Sequence, residues 1–269
     1  GRGGRGGRRR GRGQRAIRMH RFTVMALDRQ SGDVVWEQVA HEVVPHEGHQ
    51  EPNGNYASGS AVTDGEYLFA FFGSWGLYAF DMDGNLQWEV DLGTRHMRNA
   101  FGEGTTPALH GDTLVVTWDH IGGQSFIVAL DKRTGKVKWK QPRAHLEAAA
   151  KKRPIAKMAY STPLIQPVEG IPQLVCSGAD HVAAYDLTTG AELWWMPYNG
   201  FSIVGRPSYG NGLFYVVGSI RQDHFCVYAV RPGKGRLRDD QVVWQRSISI
   251  PHVPSPILVG RKLFVVHDG

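Results

Sequence analysis

The sequence predicts an all-β protein: a β-propeller of four-stranded antiparallel blades, four full and two partial, behind an Arg/Gly-rich N-terminal tail. Three observations predict it. The segment Ala26-Leu-Asp-Arg-Gln-Ser-Gly-Asp-Val-Val-Trp36 is echoed at 79–88, 129–139 and 184–194, and in a stretched copy from Ala229 to Trp244. The Trp-to-Trp steps are 52, 51, 55 and 50 residues, the period of one four-stranded unit repeated along the chain. A second set of signals keeps the same rhythm, with strand starts at Gly59-Ser-Ala-Val62, Thr106-Pro-Ala-Leu109, Thr162-Pro-Leu-Ile165, Arg206-Pro-Ser208 and Ser255-Pro-Ile-Leu258.

Taken in chain order, residues 1–21 come first, with nine arginines and no acid in a chain whose net charge is only +6. The basic balance therefore belongs to this tail, and the remainder is mildly acidic. An Arg/Gly run has nothing to bury, so it is expected to be disordered. It resembles Arg/Gly segments that neutralise phosphates, which makes nonspecific nucleic acid a candidate partner for residues 1–21 and an RNA-associated scaffold an alternative function.

The propeller is expected over residues 22–269. Its first unit supplies only a third and fourth strand, Phe22 to Trp36. In the complete units the logic is clearest at Phe126-Ile-Val-Ala-Leu-Asp131, an apolar β-branched run, followed by Lys132-Arg-Thr-Gly135 with turn chemistry. Val137-Lys-Trp139 then alternates, so that Val137 and Trp139 share one face. Proline is tolerated at the start of a strand, where no ladder donor is lost. Each start is followed by a Gly-containing turn and an apolar strand, as in Tyr67 to Phe72, Leu114 to Trp118 and Leu213 to Val217. The last unit, Ser255 to Val266, supplies only a first and second strand. One helix is expected, within Arg143 to Lys157, where Leu146-Glu-Ala-Ala-Ala-Lys-Lys has high helical propensity.

The pattern Ala-x-Asp-x-x-x-Gly-x-x-x-Trp resembles the tryptophan-docking repeat of the pyrroloquinoline quinone-like (PQQ-like) β-propellers, a family of quinoprotein alcohol and sugar dehydrogenases and non-catalytic relatives. The resemblance implies that Trp36, Trp88, Trp139, Trp194 and Trp244 stack on the backbone near the motif glycine of an adjacent blade. The matching glycines are Gly32, Gly84, Gly135 and Gly190; the fifth copy has Arg231 where Asp is expected, and a longer turn. The terminal half-units either complete one another in a five-bladed ring or belong to a segment of a larger propeller, and the resemblance favours the segment. It also implies a periplasmic or extracellular location.

Chemistry is expected where equivalent positions of the repeats converge on a central funnel. Asn55, Tyr56, Arg98, Asn99, Glu103, Tyr160, Arg206 and His252 form the expected ligand-binding ring. Arg98 and Arg206 suit an anionic ligand or a carboxylate-bearing peptide. The densest titratable cluster is His41 to Glu51, in which His46 and His49 are the candidate metal ligands. Asp119 and Asp180, at the ends of second strands, read as turn residues. Cys176 and Cys226 fall in different units, so no disulfide framework is expected, and no apolar run is long enough to span a membrane.

The dehydrogenases of the resembled family hold PQQ beside an adjacent-cysteine disulfide with a calcium or lanthanide ion, and this chain has no Cys-Cys pair. The expectation is therefore a non-catalytic binding or scaffold module, without a catalytic residue or cofactor. Its partner at the funnel or rim is a protein, a peptide or a small anion. A PQQ-dependent dehydrogenase fragment, with PQQ and calcium, is the alternative.

Overall fold

A computed structural model describes residues 18–49, 55–97, 102, 104–152, 157–200, 202–221, 224–247, 250 and 253–266. The Arg/Gly-rich run up to residue 17 lies outside them. Two residues counted with the tail belong to the fold, because the first strand already begins at His20.

A two-stranded antiparallel sheet, β1 (His20–Leu27) and β2 (Val34–Val43), opens the chain. The second sheet is β3 (Val62–Thr63), β4 (Tyr67–Phe71), β5 (Leu77–Asp81) and β6 (Leu86–Val90), hydrogen-bonded in chain order. The third is β7 (Ala108–His110), β8 (Thr113–Trp118), β9 (Phe126–Asp131) and β10 (Val137–Pro142), followed by helix α1 (Ala144–Lys152). The fourth contains β11 (Leu164–Val168), β12 (Ile171–Ser177), β13 (His181–Asp186) and β14 (Glu192–Pro197). The fifth contains β15 (Ser208–Gly210), β16 (Leu213–Arg221) and β17 (His224–Val230); a short β18 (Gly235–Arg236) intervenes before its fourth strand, β19 (Val242–Arg246). A last pair, β20 (Ile257–Val259) and β21 (Lys262–Phe264), completes the succession of four full blades flanked by two partial ones.

The hydrophobic core lies between blades. Phe69, Leu77 and Ala79 of the second sheet pack with Leu114, Val116, Val128 and Leu130 of the third. Val115, Ile127 and Trp139 of the third meet Leu174, Ala183 and Tyr185 of the fourth. Val182, Trp194 and Met196 of the fourth meet Phe214, Val216 and Tyr228 of the fifth. Period-2 alternation in the two central strands of each blade thus presents one apolar face to the preceding blade and one to the next. In the outer pairs, where a second neighbour is missing among the described residues, Val34, Val35, Ile257 and Val259 are exposed.

Three of the motif tryptophans share one geometry. Trp36 Nε1 donates to the Met82 carbonyl at 2.9 Å, Trp88 to Lys132 at 2.9 Å and Trp139 to Leu187 at 2.8 Å. In each case the acceptor is the residue after the motif Asp of the next blade. That Asp folds its turn by accepting backbone amides, as Asp131 does from Arg133 and Thr134 and Asp186 from Thr188 and Thr189. The indoles lie over Gly84, Gly135 and Gly190, each at positive φ, where a Cβ would come within 2.7–2.8 Å of the ring. Gly32, by contrast, has open space where its side chain would be.

Trp194 and Trp244 differ from this pattern. The fifth copy has Arg231 in place of the turn Asp, so the carboxylate that folds the other turns is missing from that position. Its turn extends instead to Gln241, which closes on the Arg231 amide at 2.8 Å. Within that extension β18 adds to the fourth sheet parallel to β14, pairing Gly235 with Trp194. Trp194 is fully buried and donates within its own blade to Gln173 Oε1 at 2.9 Å. Trp244 has no following turn to meet among the described residues and remains 40% exposed.

On the face that carries these turns, Lys132 ties the second and third blades together. Its Nζ lies 2.5 Å from Asp64 and 3.2 Å from Glu66, at a surface groove of about 580 Å³ also lined by Leu109 and Asp112. Burial pushes the Asp64 carboxyl up, but the Lys132 hydrogen bond and the amides of Tyr67 and Glu66 outweigh it and hold the group at about 2. Asp64 therefore contributes stability above the ordinary carboxylate range, and that contribution is lost as pH falls through about 2. Asp64→Asn is expected to lower the urea midpoint at pH 7, with the gap to the parent narrowing as pH drops from 4 toward 2. A gap independent of pH would refute the assignment.

Candidate functional site

The opposite face collects the long connections that leave each fourth strand, together with the turns between second and third strands. Most of the polar side chains singled out from the sequence belong to these connections, and the structure sorts them. Asn55 is exposed, and its Oδ1 accepts from the Ala57 amide at 2.8 Å and the Ser58 hydroxyl at 3.0 Å. Tyr56 is buried instead of facing a funnel. It packs against Phe22, His20, His49 and Trp75, and its hydroxyl donates to the Glu47 carbonyl. An aromatic ring next to an apolar hairpin gains more by burial than by exposure. Tyr160 is half-buried, and Arg206 is exposed with its amide donating to Ser255 Oγ. Arg98, Asn99, Glu103 and His252 lie outside the described residues.

The centre of this face is a buried charge network. Arg143, directly after β10, reaches across to the fourth blade, where its Nη2 donates to the Ser177 carbonyl at 3.1 Å. Its Nη1 lies 3.2 Å from Asp119 Oδ1, and the two side chains are 2% and 4% exposed. Asp119 Oδ2 accepts from the Ala159 amide at 3.1 Å. Asp119 is thus not an ordinary turn residue: it holds together a connection of its own blade and two segments leading into the next. Burial raises its pKa against the opposing pull of Arg143 and Arg95, while Arg143, facing a carboxylate, is held protonated against its own burial.

Arg95 repeats this device one blade earlier. It follows β6, is 1% exposed, stacks 4.5 Å over Trp118 and points Nη1 toward the Thr117 carbonyl. The strand registers make Thr117 and Ser177 equivalent, because Val115 pairs with Ala129 as Val175 pairs with Ala184. An arginine after the fourth strand therefore reaches the same carbonyl of the next blade twice. The available sequence signal was an Arg a few residues beyond the motif Trp, but the offsets are seven and four residues, so simple periodicity conceals the match.

Beside Arg95 lies a histidine row. His46 Nε2 bonds the Arg95 carbonyl at 2.9 Å, and His96 Nδ1 lies 3.3 Å from Glu47 Oε2. The rings of His46 and His96 meet edge-on at 5.4 Å, and His120 follows at 6.2 Å from His96. Of the two histidines proposed as ligands from sequence, only His46 enters this group, while His49 packs edge-on against Tyr56 at 4.8 Å. His96, which sequence reasoning missed, lies 50 residues away from His46 and is brought in by blade stacking. Cys176 and Cys226 are both buried and free.

A family model described as outer membrane protein assembly factor BamB matches residues 20–269. No curated protein sequence matches the chain. Among solved structures, BamB from Moraxella catarrhalis is similar over 87% of this chain and 59% of its own, at 17% identity and a TM-score of 0.50. Quinohemoprotein alcohol dehydrogenase from Comamonas testosteroni is similar over 79% of this chain and 39% of its own, at 13% identity and a TM-score of 0.51. The computationally designed Ika8 protein is similar over 90% and 61%, at 10% identity and a TM-score of 0.54. At these identities the structural likeness speaks for the fold alone. The chain spans less than two thirds of the length of each of these structures.

Proposed function

The chain belongs to the family described as outer membrane protein assembly factor BamB, a PQQ-like propeller repeat family, and from that premise we propose a non-catalytic, exported protein-binding module whose partner sits on the long-connection face. One observation carries the proposal: the family model runs from residue 20 to 269, through every blade. The geometry supports it. Asn55, His96 and Arg206 are exposed in connections that belong to three different blade junctions. Groups spread in this way suit an extended partner surface better than a small anion, which would need donors gathered at one point. Arg206 supplies a fork for a partner carboxylate. Arg95, Arg143 and Asp119 hold the connections in place from below. Under this proposal the protein acts outside the cytoplasm and without PQQ or calcium; among the described residues no helix is long and apolar enough to cross a membrane.

Photocrosslinkers introduced into the protein in its own cells test the proposal. At Asn55 or Arg206 they are expected to capture a component of outer-membrane protein assembly, and at Thr134 or Thr189, on the opposite face, they are not. Capture only from the opposite face would sink the placement of the partner. Dye-linked alcohol oxidation by the protein supplied with PQQ and calcium would sink the non-catalytic assignment.

A further inference from the structure

Two of the connections on this face bring two imidazoles and a carboxylate together. One ring nitrogen each of His46 and His96 and a carboxylate oxygen of Glu47 lie within 4.8 Å of one another. His46 and Glu47 come from the connection after β2, His96 from the connection after β6. Two imidazoles and one carboxylate are the ligand classes of zinc and its neighbours, whereas calcium and magnesium take oxygen.

The surrounding bonds prepare these groups. A carbonyl can only accept, so neutral His46 donates from Nε2 to Arg95 and leaves Nδ1 with its lone pair, the tautomer a metal ligand needs. Glu47 is oriented by the Met97 amide, which donates to Oε1 at 3.0 Å and leaves Oε2 toward His96. The His96 side chain is 60% exposed and that of Glu47 is 19% exposed. Ligand atoms around a tetrahedral zinc stand roughly 3.3–3.5 Å apart, given bonds of about 2.0–2.2 Å. The cluster therefore needs to close by at most about 1.5 Å, within the reach of a rotamer change. His120 is set apart by its own bond: its Nδ1 accepts from the Gly122 amide at 3.0 Å, so its proton is on Nε2 and neither nitrogen offers a lone pair.

We propose that His46, Glu47 and His96 form an open three-ligand site for a divalent transition-metal ion of the zinc class. The ion clamps the connections of two successive blades and keeps a coordination position toward solvent.

Calorimetric titration of the tag-free full chain with zinc chloride tests this, alongside the visible spectrum after loading with cobalt(II). One saturable equivalent and the d–d bands of a low-coordinate cobalt site are expected. His96→Gln and Glu47→Gln should each weaken zinc by at least ~10-fold, a loss that removal even of an outer partner causes. His49→Gln and His120→Gln should bind as the parent does. His96 is mostly exposed, so its variant keeps the fold, which circular dichroism checks. Absence of saturable binding, parent-like binding by both His96→Gln and Glu47→Gln, or loss on His49→Gln would each overturn the site.

Discussion

Trp139→Ala is expected to lower the unfolding free energy by about 3–5 kcal/mol, the range for truncating a buried tryptophan. The indole is 9% exposed and lies between the third and fourth blades, over Gly190. Truncation removes that contact and leaves the Leu187 carbonyl, its partner at 2.8 Å, without its donor. The same substitution at Trp244 is the internal control. That ring is 40% exposed and only tilted against Tyr215 at 5.8 Å, so Trp244→Ala should cost well under half as much. Denaturant unfolding followed by far-UV circular dichroism distinguishes the two. Equal losses would mean that the repeated tryptophan acts within its own hairpin and not between blades.

The second large effect is expected at the buried ion pair. Arg143→Met should cost about 3–5 kcal/mol, because the buried Asp119 carboxyl loses its nearest cation and must either stay ionised unpaired or take up a proton. Combining it with Asp119→Leu should recover most of the loss, since the charge that made it costly is gone. Acidity adds a second signature. Burial already raises the Asp119 pKa, and removing Arg143 removes an opposing influence, so in the variant it rises further. A carboxyl whose folded pKa lies above its unfolded value of about 3.9 stabilises most when protonated, and this contribution is lost as pH rises through the folded pKa. The deficit of Arg143→Met against the parent should therefore shrink as the pH is lowered from neutrality. A deficit that is constant with pH, or a double variant no better than the single, would show that Arg143 acts through packing and its bond to Ser177 alone.

These two residues mark how far the sequence could be read. Trp139 was legible because a hairpin is a local object: Asp131, Gly135 and Trp139 lie within nine residues, and each type has one physical use there. Arg143 was visible only as the start of a helix-prone stretch. Asp119 looked like turn composition, because its partners Arg143 and Ala159 are 24 and 40 residues away. The metal candidates divide in the same way. His46 and His49 are close in sequence, yet backbone breaks at Pro45 and Gly48 send them to different neighbours, and the third ligand comes from the next connection.

By itself, the sequence determined the blade, its strand order and the period at which blades succeed one another. Those follow from side-chain alternation and turn chemistry, which act over a few residues. Only the tertiary structure decided which charges are buried together, that Trp194 exchanges its expected turn for β18, and that His96 joins His46 and Glu47. Such pairings depend on what the neighbouring blade presents across its face. Nothing local to either partner encodes that distance.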